Sequence, residues 1–156
     1  MADPGTDPDA AAALARKGHH AFSWDELDTI ELPSGISTQM FRMTSASDAP
    51  TIFKVFYPPN CHVDAHTHDC DYTEIVLEGT QRVGATWHKA GDIRIGLANR
   101  GYGPLVAGPD GATVLFMFRN GDWPAIPLGN NSAEALGSHV IEAHVASKTE
   151  KPDGSQ

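Results

Sequence analysis

With 156 residues, the chain has the length of one domain and enough material for a core that stands alone. Its formal net charge of -9 argues against a nucleic-acid backbone or an anionic membrane as the main partner, and no apolar run approaches a membrane span. The first residues lack the basic-then-apolar layout of a secretory signal, so a cytoplasmic location is expected, with Cys61 and Cys70 as reduced thiols.

Residues 1–9 are rich in Pro, Gly and Asp and read as a leader. Asp9 is placed to cap a short helix over 10–17, with Gly18 as its stop, so residues 1–20 form an N-terminal unit. Trp24, Leu27 and Ile30 mark a segment that packs on whatever follows. β-prone runs recur at 37–43, 51–57, 63–68, 72–77, 81–87, 92–95 and 113–119. Turn residues separate them: Pro58-Pro59-Asn60, Lys89-Ala90-Gly91-Asp92, Gly108-Pro109-Asp110-Gly111 (read as a hairpin turn) and Asn120-Gly121-Asp122. Short strands without intervening helices predict an all-β sandwich or barrel over residues 21–128. Beyond the stiff Asp122-Trp-Pro-Ala-Ile-Pro connection, Ser132 is placed to cap a helix over 133–146. That helix presents Leu136, Val140 and Ala143 on one face, and Gly137 weakens it by about 1 kcal/mol. Residues 129–156 are thus a C-terminal helix and polar tail.

The chemistry concentrates in His66-Thr-His68-Asp-Cys-Asp-Tyr72-Thr-Glu74. Histidines at i and i+2 of a strand project from one face, and two imidazoles on one wall suit a divalent transition metal. Glu74 on the next strand could complete a facial triad that leaves positions open for substrate and oxygen. It could instead act as a general base, or turn to solvent at the strand end. His62 shares parity with His66 and His68 and is a candidate third histidine if the strand is regular. Gln81 and Arg94 could reach a pocket, although Arg94 on this pattern is more often a surface residue.

The stretch from His66 to Gly79 resembles the first motif of the cupins, a glycine, H-x-H, glutamate and closing glycine. Anchored on Gly79, the alignment puts the opening glycine on Asn60 and the glutamate on Tyr72, seven residues before Gly79. The second cupin motif resembles the stretch from Gly91 to Tyr102, with Leu97 in its proline slot, Asn99 in its second glycine slot and Tyr102 in its histidine slot. The resemblance covers residues 36–119 and implies a single double-stranded β-helix, or jelly-roll barrel, with the short helices at its ends. It implies one divalent transition metal per chain, with Fe first and Zn, Ni or Mn as alternatives. The metal set is His66, His68 and Glu74, with His62 or Tyr102 as further ligands. Tyr72, Glu74 and Tyr102 are the candidate catalytic residues, since a phenol in a ligand slot can bind metal or move a proton. The resemblance also implies a homodimer.

Three functions follow as expectations: a mononuclear dioxygenase acting on a small organic molecule; a metal-dependent lyase, isomerase or cyclase using Tyr or Glu proton transfer; and a cupin that binds a small ligand without turnover.

Overall fold

The computed structural model describes residues 2–149. Among these residues the strands are β1 (Ile30–Glu31), β2 (Ser37–Arg42), β3 (Thr51–Tyr57), β4 (His62–Val63), β5 (His66–Thr67), β6 (Tyr72–Val83), β7 (Thr86–Lys89), β8 (Ile93–Gly96), β9 (Leu105–Phe118) and β10 (Ile126–Pro127). The α-helices are α1 (Pro8–Lys17), α2 (Ala133–Leu136) and α3 (Ser138–Thr149), with short 3-10 turns at Trp24–Glu26 and Pro33–Gly35. The large sheet runs β1-β2-β3-β9-β6-β7, with β4 added to β9 and β8 to β6, while β5 and β10 form a small second sheet. Every ladder is antiparallel. The architecture is the all-β jelly-roll barrel expected from the sequence.

Strict alternation builds the interior. Thr51, Phe53, Val55 and Tyr57 of β3 point inward, as do Tyr72, Glu74 and Val76 of β6 and Val114, Phe116 and Phe118 of β9. Register then stacks them: Phe53 sits opposite Phe116, and Tyr72 opposite Phe118.

The strand map differs from expectation where glycines allow bulges. Gly108 to Gly111 does not reverse the chain; it lies inside the single strand β9. Along the β6–β9 ladder the register jumps from Gly79↔Ala112 to Gln81↔Ala107, so this stretch is looped out of the ladder as a bulge. A second shift between Val76 and Glu78 changes parity, and together they turn Gln81 inward. Gly79 and Gly111 have φ of 74° and 79°, and a Cβ on Gly79 would lie 2.0 Å from the Gly111 carbonyl oxygen. Only glycine permits that crossing of backbones.

At the N-terminus, Asp7 rather than Asp9 caps α1: its carboxylate accepts the Asp9 N–H at 3.0 Å, and Pro8 occupies the first turn, where a missing N–H costs nothing. Gly18 stops the helix in the left-handed region, as expected. The single C-terminal helix is replaced by α2 and α3, divided at Gly137 with φ of 80°. The break re-aims the second segment, so Ile141 is buried and Ala143 is exposed. Ser132 makes no side-chain capping bond. Residues 150–156 of the expected polar tail lie outside the described residues. Cys61 and Cys70 are both buried free thiols.

Candidate functional site

Strand β5 brings His66 into the barrel, and His68 follows it just beyond the strand end; both are buried. The backbone of His66 exchanges two hydrogen bonds of 3.0 Å with that of Tyr102, an isolated antiparallel bridge. Directly opposed residues project to the same face, so this bridge aims the Tyr102 ring at the histidines. The Tyr102 hydroxyl then lies 2.7 Å from His66 Nε2 and 2.9 Å from His68 Nε2.

The far sides of both imidazoles are fixed. His66 Nδ1 lies 2.8 Å from the Asp64 carbonyl, and His68 Nδ1 lies 2.6 Å from the Trp123 carbonyl. A carbonyl oxygen only accepts, so each Nδ1 carries the hydrogen and each Nε2 presents a lone pair. Burial pushes the pKa of His66 down and that of His68 to about 4, which keeps both neutral. The phenol has a single hydrogen for two Nε2 acceptors. The cluster is therefore one hydrogen-bond donor short, and one buried lone pair is always unmet.

A metal ion would answer that shortage. Two neutral imidazoles, oriented through carbonyls on their other nitrogen and converging their lone pairs, suit a divalent transition metal. The expected facial carboxylate is not brought to them. Glu74 is 1 % exposed and faces inward with Tyr72, but its Oε1 accepts from Arg94 Nε at 2.6 Å and from Gln81 Nε2 at 3.1 Å. Among the described residues no three His, Cys, Asp or Glu side chains converge on one point. His62 is corrected as well: Asp64 and Ala65 interrupt the strand between β4 and β5, parity is lost, and His62 lies exposed beside Asp64 at 3.7 Å.

Arg94 ties the remaining candidates together. Its Nη2 donates to the Tyr72 hydroxyl at 2.8 Å, and its guanidinium carbon sits 4.4 Å from the Tyr102 ring centre. Burial alone would lower the Arg94 pKa, but Glu74 outweighs it and holds Arg94 above its ordinary range. Burial raises the pKa of both Tyr72 and Tyr102, so both phenols keep their protons at neutral pH. The inward turn of Arg94, against its expected surface position, comes from the β6–β8 register. It pairs with Glu74 between Ile93 and Ile95, a strand with its apolar residues outside and its charge inside.

Above the histidines lies a cavity of about 90 Å³, walled by residues such as Phe53, Val55, Phe116, Trp123 and, from the C-terminal helices, Leu136 and Ile141. His66, His68 and Tyr102 form its polar end.

No protein-family model matches the sequence, and no curated protein does. Solved structures do. An RmlC-like cupin from Shewanella frigidimarina superposes with a TM-score of 0.58 at 16% identity, over 66% of this chain and 92% of its own. The chain carries a cupin fold. A variant of the Bacillus subtilis oxalate decarboxylase matches with a TM-score of 0.59 at 16% identity, over 69% of this chain. The Lactobacillus farciminis oxalate decarboxylase formate complex matches with a TM-score of 0.59 at 19% identity, again over 69%. The chain spans 32% and 35% of those two enzymes' chains, about a third of each. Within this cupin fold, the tyrosine in the second-motif histidine slot stands over the H-x-H pair.

Proposed function

We propose that this chain is a metal-dependent cupin enzyme acting on a small organic molecule by proton transfer, of the lyase or isomerase type. The observation that carries the reading is the Tyr102 hydroxyl, held between two lone-pair nitrogens at the polar end of an apolar cavity. His66 and His68 would hold the metal. When bound, a divalent transition metal supplies Lewis-acid polarisation of a substrate oxygen. The Mn(II) centres of Bacillus subtilis oxalate decarboxylase support such a metal here, with Fe, Zn and Ni as alternatives.

The chain's own residues supply the rest. Burial keeps the proton on Tyr102 Oη, so the phenol meets the substrate as a hydrogen-bond donor and gives up its proton only to a strongly basic oxygen. The Arg94 guanidinium over its ring stabilises the phenolate left behind. Tyr72, bonded to the same guanidinium, helps fix Arg94 in place, and Glu74 balances its charge. The apolar walls exclude water and strengthen each of these interactions.

A dioxygenase ranks second, because the carboxylate its facial triad needs is committed to Arg94. Elemental analysis together with oxygen uptake separates the readings. Near one metal per chain without oxygen consumption supports proton transfer, and iron with oxygen uptake supports the oxygenase. A metal-free protein that still binds a ligand tightly leaves the binding role. A cytoplasmic location and a homodimer complete the proposal.

A further inference from the structure

The cavity wall has a chemistry of its own. Its volume of about 90 Å³ is roughly three-fifths that of an apolar protein cavity of about 150 Å³ that takes up a benzene. Away from the histidine end the walls are mainly Ile36, Val55, Phe53, Phe116, Trp123 and Ile141. Among the described residues no Lys, Arg, Asp or Glu lines it.

The polar groups in the wall are mostly engaged. The Thr38 hydroxyl donates to the Lys54 carbonyl at 3.1 Å, and the Ser138 oxygen accepts the Ala125 N–H at 2.9 Å. Tyr57 adds one neutral phenol. Arg94 does not line the cavity, and Glu74 meets its charge at 2.6 Å. Among the described residues, the free hydrogen-bonding groups the cavity presents are therefore concentrated at its His66, His68 and Tyr102 end, with the Tyr57 phenol in addition.

We infer that the substrate is a small, uncharged aliphatic compound with a single carbonyl or hydroxyl oxygen. It turns that oxygen to Tyr102, His66 and His68 and buries an apolar body of about three to four heavy atoms between Ile36, Val55 and Trp123. This rests on the reading of the cavity as the substrate pocket. A charged group pushed past the polar end loses its hydration and meets no counter-charge in the wall. A metal at the histidines would answer one carboxylate only, so a dicarboxylate leaves its second charge stranded in the apolar part.

The test uses two probes of matched shape, 2-butanone and propionate, titrated into the full chain after a chelator has stripped any bound metal, so that only the cavity's own residues meet the carboxylate. Methyl NMR follows Ile36, Val55 and Ile141, and no turnover is required. Butanone is expected to shift these methyls saturably, and propionate to bind at least tenfold more weakly. Ala125→Leu, which narrows the partly exposed rim, should abolish the butanone shifts while the dispersion of the spectrum stays that of a folded protein. Propionate binding as tightly as butanone overturns the inference, and so does butanone leaving the three methyls unmoved. A failed metal or turnover assay overturns the catalytic reading and leaves the probe ranking, and this inference, standing.

Discussion

Removing the hydroxyl of Tyr102 while keeping its ring separates metal binding from proton transfer. In Tyr102→Phe the aromatic wall and the Arg94 stack survive, and the shared hydrogen bond to His66 and His68 is lost. The expected outcome is retained metal and turnover lower by roughly 10²–10⁴; loss of metal would make the phenol a ligand instead. His66→Ala and His68→Ala should each empty the site of metal by elemental analysis and leave the far-UV circular dichroism of the barrel intact. Arg94→Met strands the Glu74 carboxylate in the interior, since Oε2 already lacks a partner and Oε1 keeps only Gln81. Urea unfolding should register a loss of about 3–5 kcal/mol, and the double variant Arg94→Met with Glu74→Gln should recover part of it. For the metal-free protein the histidines set a pH dependence. An unfolded histidine titrates near 6.5 and His68 in the fold at about 4, so the unfolded chain takes up the proton first as pH falls. Stability is full above about pH 6.5, declines towards about pH 4 by up to about 3 kcal/mol for His68, and levels off below. A urea series across that range that stayed flat would show that burial does not hold His68 neutral.

At the scale of the elements, β6 and β9 position most of the site, and their glycines are the most vulnerable points. Gly79→Ala forces a Cβ into the Gly111 carbonyl at a left-handed φ, so it should unfold the barrel or leave it insoluble at expression. β3 was legible to the residue, because its alternation Thr51, Phe53, Val55, Tyr57 is unbroken and turn residues bound it. The H-x-H pair was legible for the same reason, and the second-motif spacing placed Tyr102 opposite it. What was not legible depended on pairing. A Gly-Pro-Asp-Gly run reads as a turn in isolation, and only the neighbouring β6 ladder makes it a bulge. The commitment of Glu74 to Arg94 spans 20 residues of sequence and arises from the β6–β8 register, which no local pattern encodes. His62 failed as a ligand because parity survives only while a strand stays regular, and Asp64 and Ala65 end it.

At the scale of the whole molecule, the outer face of β8 and its surroundings is unusually apolar. Ile93, Ile95 and Leu97 are 63%, 71% and 56% exposed, with Leu77 and Trp87 also exposed. Among the described residues β8 pairs on one side only, with β6, so the same region offers an open strand edge. The proposed homodimer would cover it. Sedimentation should find a dimer that Ile95→Lys converts to monomer with unchanged metal content, whereas a wild-type monomer at micromolar concentration would remove the dimer. The cavity, too, is assembled from distant parts. Its barrel walls belong to the long ladders, but Leu136, Ser138 and Ile141 come from two helices joined at Gly137 and moored by Asp28 to His144 at 3.3 Å and Lys148 at 2.9 Å. α3 fully buries only Ile141, and elements with few buried side chains open before long ladders do. Amide hydrogens of α3 should then exchange faster than those of β9, and a ligand that fills the cavity should slow α3 while leaving β9 unchanged. Occupancy of the pocket would thereby be written in the exchange clock of a helix that carries no catalytic group.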